Sequence, residues 1–537
     1  MGGATEKTPN KASAVAEPVR AEASEGTEED PGTKAGTAEE AVEQGEDLQV
    51  PQEEEQEVEN ALGTFDLNDL RESIEGDIIT PEDGQAFVDA AVIWNGDWKI
   101  RSSPIAIVQV RSTEDVQKSI LYAKKNKIGI AFRCGGHSIK GLSTSVGGIV
   151  IDLGKNMRKV EVDPEKRLVK FQGGCRIKDI DAEATKYNLC TVLGAVGNAG
   201  AGGLVSGGGL GHFTRKEGLS VDNVVSAEIV CARGVLHNVS RESEPDLFWA
   251  IRGGQSNFGC IVSFTMRLFD CPKQILAGMI LYDMQYAEKV ISEYMKFVAD
   301  PDLPLELTVH MYSVPSPSDG KKYVSLLASY VGPPEEGYHL LHPLIHCAPC
   351  VVNQIAPKTY VQHQNSSNEM YSVKGVPTYW KSRNVTMGAK IPPKLVVESI
   401  QASSDYSILV LEHYGGKVLK FPSDATAYYH RDSAVIMSFT GYGYHNEKER
   451  SELMDWISRS TSMFEPYYNG TSYMNYDCGS APESFAGNLQ RLREIKSIYD
   501  PDNIFRCNTN IAPLEDIQYT TRCGGDEAEK VIQNEAN

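Results

Sequence analysis

The chain lacks any apolar run of the about 18 residues that a membrane span needs, and it lacks the short apolar core of a secretory signal at its start. Glu6 breaks the myristoylation pattern that Met1-Gly2 begins. These absences predict a soluble, cytoplasmic protein with no membrane partner. Four Asn-x-Ser/Thr tripeptides, at Asn238, Asn365, Asn384 and Asn469, point weakly the other way. A basic patch is missing too: 52 Lys and Arg face 73 Asp and Glu, for a net charge of −21. A negative body repels phosphate backbones, so nucleic acid is not an expected partner. The 11 cysteines are odd in number and scattered, which is not a disulfide framework and suits a reducing compartment. Cys347 and Cys350 form one close pair, but no second pair stands at zinc spacing, and no metal site is expected.

The first 60 residues contain no aromatic residue and no cysteine, with 17 acidic residues against 4 basic ones. Low hydropathy with high like charge cannot bury enough apolar surface to offset ordering entropy, so a disordered acidic tail is expected over 1–60. The 537 residues as a whole could hold two to four ordinary domains.

What is present is organised around residues 128–153, IGIAFRCGGHSIKGLSTSVGGIVIDL. Two β-branched apolar runs flank a loop carrying Gly135, Gly136, His137, Ser138 and Gly141. Adjacent glycines remove the Cβ atoms that would hold a ligand away from the backbone, and Arg133 and Ser138 can add a charge and a hydroxyl to a pyrophosphate cradle. The plain alternative is a turn between strands with a structural histidine.

Before the loop, Ile105–Arg111 reads as a strand, and Ser112 caps a helix through Lys124 with Val116, Ile120 and Ala123 on one face. After it come a hairpin over 159–172, a helix over 177–187, and residues 194–211, GAVGNAGAGGLVSGGGLG, of which nine are glycine. This run fits neither G-x-G-x-x-G nor the P-loop, so it is neither a dinucleotide fingerprint nor a phosphate loop of those kinds. It suits backbone packed against a broad flat ligand. A hairpin over 221–239, a helix opening at Pro245 and a strand over 260–269 follow. From 273 to 470, strands over 308–312, 322–330, 406–412 and 435–440 mix with helices over 287–298 and 447–461, which suits an antiparallel sheet backed by helices. A helix from Gly487 leads to YDPDNIF.

Taken in order, RCGGHS, GGIVIDL, GAGGLVSGGGLG, GLSVDNV, DLFWAIRGGQSNFGCIVSFTMRLF and YDPDNIF resemble the vanillyl-alcohol-oxidase type of FAD-binding domain. More narrowly, they are similar to the berberine-bridge-enzyme-like FAD-linked oxidoreductases, over about 100–272 and 470–513. After the tail over 1–60, the resemblance implies an α+β fold: a two-part PCMH-type FAD-binding domain over 100–272, an α+β substrate domain over 273–470 whose sheet faces the flavin ring, and a return to the FAD domain over 471–515. It implies FAD joined covalently through His137 and contacted by Arg133, Gly135, Gly136, Ser138, Gly141, Gly202, Gly203, Gly207, Gly208, Ile261 and Asn508. Doubly linked relatives carry a cysteine where this chain has Val196, so a second link is not expected, and Cys190 lies too early to supply it. Ala199 occupies the place of an oxygen-gating side chain, which implies an oxidase using O2.

The expected activity is oxidation of a small organic molecule, a secondary-metabolite alcohol, phenol or amine, by hydride transfer to FAD. Such chemistry also needs a group that takes the proton from the substrate O–H or N–H. The positions that serve in relatives read Ile139 and, ungapped, Phe439 here, so the candidates are Tyr442, Tyr444 and His430, with Glu412 and Tyr473 behind them. A carbohydrate or alcohol oxidase or dehydrogenase of the same fold is one alternative. A flavin-binding interaction protein that has lost catalysis is another. The sequence sets no oligomeric state.

Overall fold

Three short runs rich in Ile, Val, Ala and Phe form a parallel sheet that is covered on both faces, each ending in a polar residue, Gln109, Asp152 or Arg133. Ala106–Gln109, Ile149–Asp152 and Ile130–Arg133 lie side by side in that order, and Asp77–Ile79 joins the first of them antiparallel. The helix Thr113–Asn126 connects two of these strands. Ser112 accepts the Asp115 N–H as its cap, Val116, Ile120 and Ala123 are buried, and the helix ends at Lys127 in the left-handed region. This computed structural model describes residues 65–514 except 101, 317–319, 372 and 477–480. The expected acidic tail over 1–60 lies outside the described residues.

A second, antiparallel sheet has the order Val160–Asp163, Leu168–Gln172, Cys260–Arg267, Val224–Val230, Leu236–Ser240. Both expected hairpins are here. Phe171 and Phe264 are cross-strand partners with ring centroids 5.8 Å apart, and they join the helices Ile177–Ala184 and Pro245–Ala250 in one core.

The third sheet draws only on residues 275–442, in the order Val352–Asn353, Ile275–Asp283, Lys322–Tyr330, Leu307–Pro315, Ser407–His413, Ser433–Tyr442, Thr378–Thr386, with Ala356–Lys358 also paired to Ile275–Asp283. Every pairing is antiparallel. Its two faces separate by the two-residue period of a strand. Leu307, Val309, Met311, Val324, Leu326, Leu409, Leu411, Met437 and Phe439 pack under the helices Ala287–Val298, Pro334–Ile345, Pro393–Gln401 and Glu447–Phe464. Thr308, His310, Tyr312, Ser325, Leu327, Ile408, Val410, Glu412 and Ile436 point the other way, into a cavity. The fold is α+β, as expected. Among the described residues no helix is long and apolar enough to cross a membrane.

The last helix, Leu489–Tyr499, returns the chain to the second sheet's core. Lys496 and Asp500 form a buried ion pair at 2.7 Å. Lys496 also donates to the carbonyls of Asn257 and Phe505, while Asp500 accepts the N–H groups of Ile504 and Phe505. Every charge-bearing atom of this pair is therefore satisfied, which is what permits its burial. Arg431 and Asp222 make a second buried pair, bidentate at 2.7 and 3.0 Å, between the third sheet's loop and the glycine-rich half.

Candidate active site

The cavity encloses about 700 Å³ between the third sheet and the two glycine-rich segments. Those segments touch backbone to backbone. A Cβ on Gly135 would lie 2.6 Å from the Gly200 nitrogen, and one on Gly200 would lie 2.5 Å from the Gly135 nitrogen. Gly203 has nothing within 4 Å of the place its Cβ would take and borders the cavity.

Arg133 is buried and donates to the carbonyls of Ser143 and Ala90; the Asp152 carboxylate lies 3.8 Å away. Its Nη2 has no protein partner, and neither do Ser143 Oγ, Gln255 Oε1 and Asn508 Oδ1. All four residues line the cavity. Buried donors and acceptors left open along a glycine-walled trough fit a long ligand with an anionic middle and a flat polar ring, which describes FAD. Arg133 and the loop around Gly135 and Gly136 would hold its pyrophosphate. Gly202, Gly203, Ile261 and Asn508 would hold flatter parts.

His137 borders the same space. Its ring stacks on Trp94 at 5.5 Å with 17° between planes. Burial, helped by the charges of Arg176 and Lys374, pushes its pKa down to about 4, so the imidazole is neutral and its nitrogen lone pair is available. Val196 also lines the cavity and carries no nucleophile. Cys134 is the thiol nearest to hand, and burial lifts it to about 11, which keeps it protonated. Cys190 is directed at the Phe269 and Asp270 carbonyls.

Not every expected residue reaches the cavity. Arg133, Gly135, Gly136, His137, Ser138, Gly202, Gly203, Ile261 and Asn508 line it; Gly141, Gly207 and Gly208 do not. Gly207 is crowded by Asn475, and Gly208, at φ +121°, by the rings of Tyr428 and Tyr473. Gly141 turns the loop at φ +71° beneath Ile100. At each of these three glycines a Cβ would crowd a neighbouring side chain.

The expected acid/base residues divide in the same way. His430 donates from Nε2 to the Ser484 carbonyl at 2.9 Å, outside the cavity. The Tyr444 hydroxyl donates to Asp97, which also binds Arg450. Tyr442 sits behind Trp94 and Tyr371 at 6.4 and 6.1 Å. Phe439 belongs to the opposite, helix-covered face of its strand, so it cannot stand where an ungapped reading put it.

Glu412 does face the cavity. It is half-buried beside a stacked pair, Trp380 on Tyr476 at 4.4 Å, with Tyr473 edge-on to Tyr476 at 4.7 Å. The Tyr476 hydroxyl donates to Oε1 at 3.0 Å, and Oε2 has no protein partner. Burial raises this carboxyl to about 7, against the lowering effect of that hydrogen bond. A carboxyl poised near neutrality, on a cavity-lining residue and with one oxygen unpartnered, can accept a proton. Around it stand residues the sequence reading did not single out: Tyr312, Trp380, Tyr476, His310, His413, and a pair of histidines, His212 and His363.

Comparisons with known proteins bear on the family and the fold. Residues 104–240 match the family described as FAD binding domain, and residues 472–512 match the family described as Berberine and berberine like. An FAD-linked oxidoreductase of Aspergillus terreus is 30% identical over 83% of this chain and 96% of its own length. The (R)-6-hydroxynicotine oxidase of Paenarthrobacter nicotinovorans is 29% identical over 82% and 97%. The xylooligosaccharide oxidase of Myceliophthora thermophila shares the fold, with a TM-score of 0.71 at 21% identity over 86% of this chain and 100% of that one. Two family matches in the right order and a relative aligned along nearly its whole length lead to one conclusion: the chain belongs to the berberine-bridge-enzyme-like family of FAD-linked oxidoreductases.

Proposed function

We propose that this protein is an oxidase of a small, flat organic molecule that carries an O–H or N–H beside an oxidisable C–H, an aryl or allylic alcohol, a phenol or an amine. The observation that carries the reading is Glu412, a carboxyl raised to about 7 on a residue that lines an aromatic-walled cavity, with its buried Oε2 left without a protein partner. FAD, when bound, supplies the hydride acceptor and passes the electrons to O2. Glu412 takes the substrate proton through Oε2, and Tyr476 holds the carboxylate by its hydrogen bond to Oε1. The stacked Trp380 and Tyr476 rings give a planar substrate a face to lie against. Burial of the carboxyl is what raises its pKa toward neutrality.

His137, neutral and held against Trp94, is the residue through which FAD attaches, and Val196 leaves that link single. The names of two relatives, an oxidase of 6-hydroxynicotine and one of xylooligosaccharides, support a small-molecule substrate and oxygen as acceptor. Hydrogen peroxide release across a panel of alcohols, phenols, amines and sugars tests the reading. Release with an aryl or allylic compound is expected. Release with sugars alone would contradict the substrate class, and reduction without peroxide would contradict the oxidase.

A further inference from the structure

The cavity contains a second polar cluster that proton abstraction by Glu412 leaves unused. His212 and His363 lie with ring centroids 4.2 Å apart, both buried. Nε2 of each ring and Oγ1 of the buried Thr308 have no hydrogen-bond partner, and all three residues line the cavity. They come from three distant places: the end of the glycine run, the strand Leu307–Pro315 and the short helix Tyr360–Gln364.

Positive charge stands beside them. The buried Arg215 guanidinium donates from Nε to the Leu307 carbonyl at 2.8 Å, and from Nη1 to His413 and to the Tyr414 carbonyl. Among the described residues it pairs with no carboxylate. Lys358 lines the cavity too. Burial keeps the imidazoles neutral: it alone pushes His212 down to about 4, while His310 falls to about 3 with help from His212 and Arg215, and His363 falls well below its ordinary range with help from His212 and Lys358.

Two plain explanations fail. Ordinary core packing would leave three buried polar atoms unpaired, at about 1–3 kcal/mol each. A metal site needs ligands that converge, and no group of three or more His, Cys, Asp or Glu among the described residues does so. A ligand group remains, and its sign follows from the surroundings. Next to a guanidinium without a counter-charge and a lysine, an anion selects the N–H form of each imidazole and accepts from both, and from the threonine hydroxyl.

We propose that His212, His363 and Thr308, backed by Arg215 and Lys358, form a subsite for a carboxylate carried by the substrate. The inference rests on the cavity being the substrate site, and it narrows the substrate to an acidic aromatic or allylic compound. A neutral analogue would leave buried donors unpaired, so discrimination should be strong.

Calorimetric titration of the flavin-loaded protein with benzoate, benzamide and benzylamine tests it. Benzoate is expected to bind at least tenfold more tightly than benzamide, and benzylamine more weakly than either. Thr308→Val and His363→Phe should each lower benzoate affinity at least threefold and narrow the preference for benzoate over benzamide. Equal affinity for benzoate and benzamide, or a preference for benzylamine, would overturn the subsite. Peroxide release is followed on the same preparation. Turnover of neutral compounds with no benzoate preference removes the subsite and leaves the oxidase; benzoate preference without turnover of any panel compound keeps the subsite and removes the oxidase.

Discussion

Replacing Glu412 by Gln isolates the proton-accepting role. The amide keeps nearly the same volume, and its carbonyl oxygen can still accept the Tyr476 hydroxyl that now holds Oε1 at 3.0 Å. What it loses is basicity. A positioned general base contributes about a hundred- to ten-thousand-fold, so kcat/KM for the best substrate should fall by that range with little change in KM. In wild type the carboxyl sits at about 7, so activity should drop about tenfold per pH unit below that value and level off above it, and the variant should lack this step. Stability gives an independent reading of the same group. Its pKa is raised by folding from 4.5 to about 7, so the folded state takes up a proton in that window. The ionised carboxylate therefore costs about 3 kcal/mol above pH 7, and the cost disappears as pH falls through 4.5. Glu412→Gln should thus raise the urea midpoint at pH 8 and leave it near wild type at pH 4.5. Steady-state rates from pH 5 to 9 and urea unfolding at the two pH values make the assay. Activity within threefold of wild type, or a surviving step near pH 7, would refute the role of Glu412 as base.

Three further outcomes follow from particular contacts. Flavin should stay with the polypeptide after acid precipitation, on the peptide that contains His137, whereas His137→Ala should release it; full release from wild type would mean no covalent link. Ala199→Leu, placed in the cavity wall, should slow reoxidation of the reduced protein by O2 at least tenfold in stopped-flow mixing, and an unchanged rate would remove Ala199 from the oxygen path. Lys496→Ala should cost about 3–5 kcal/mol in urea unfolding, because it strands the buried Asp500 carboxylate and the carbonyls of Asn257 and Phe505; a loss under 1 kcal/mol, about the worth of an exposed pair, would contradict that account.

Local pattern carried much of the fold. Lys322–Tyr330 and Ala287–Val298 run as their apolar periodicity predicts, and Ser112 caps its helix as its position suggests. The helix Pro334–Ile345 was not legible because Pro343 stands inside it, where a proline ordinarily reads as a break. Thr378–Thr386 is a polar edge strand, and its one neighbour is fixed by topology rather than by composition. At the site, His137 and the glycine cradle were legible because they lie within one continuous loop. The proposed base, Glu412, was harder to find. The alternation of Ile408, Val410 and Glu412 against Leu409 and Leu411 marks two faces, but nothing local says which face meets the cavity. A one-residue error puts Phe439 there instead of under the helices. The His212 and His363 pair arises only from long-range contacts, since 150 positions separate them.

Anaerobic mixing of the flavin-loaded protein with the alcohol, phenol and amine panel tests the central claim most directly, because it watches substrate oxidation without oxygen or product release. The account predicts that at least one aryl or allylic compound bleaches the flavin in a single turnover, at a rate that rises with pH to a plateau above about pH 7 and is lost in Glu412→Gln. Flavin that dithionite reduces, but that no compound of the panel bleaches between pH 5 and 9, would contradict it and leave a flavin-binding protein without this chemistry.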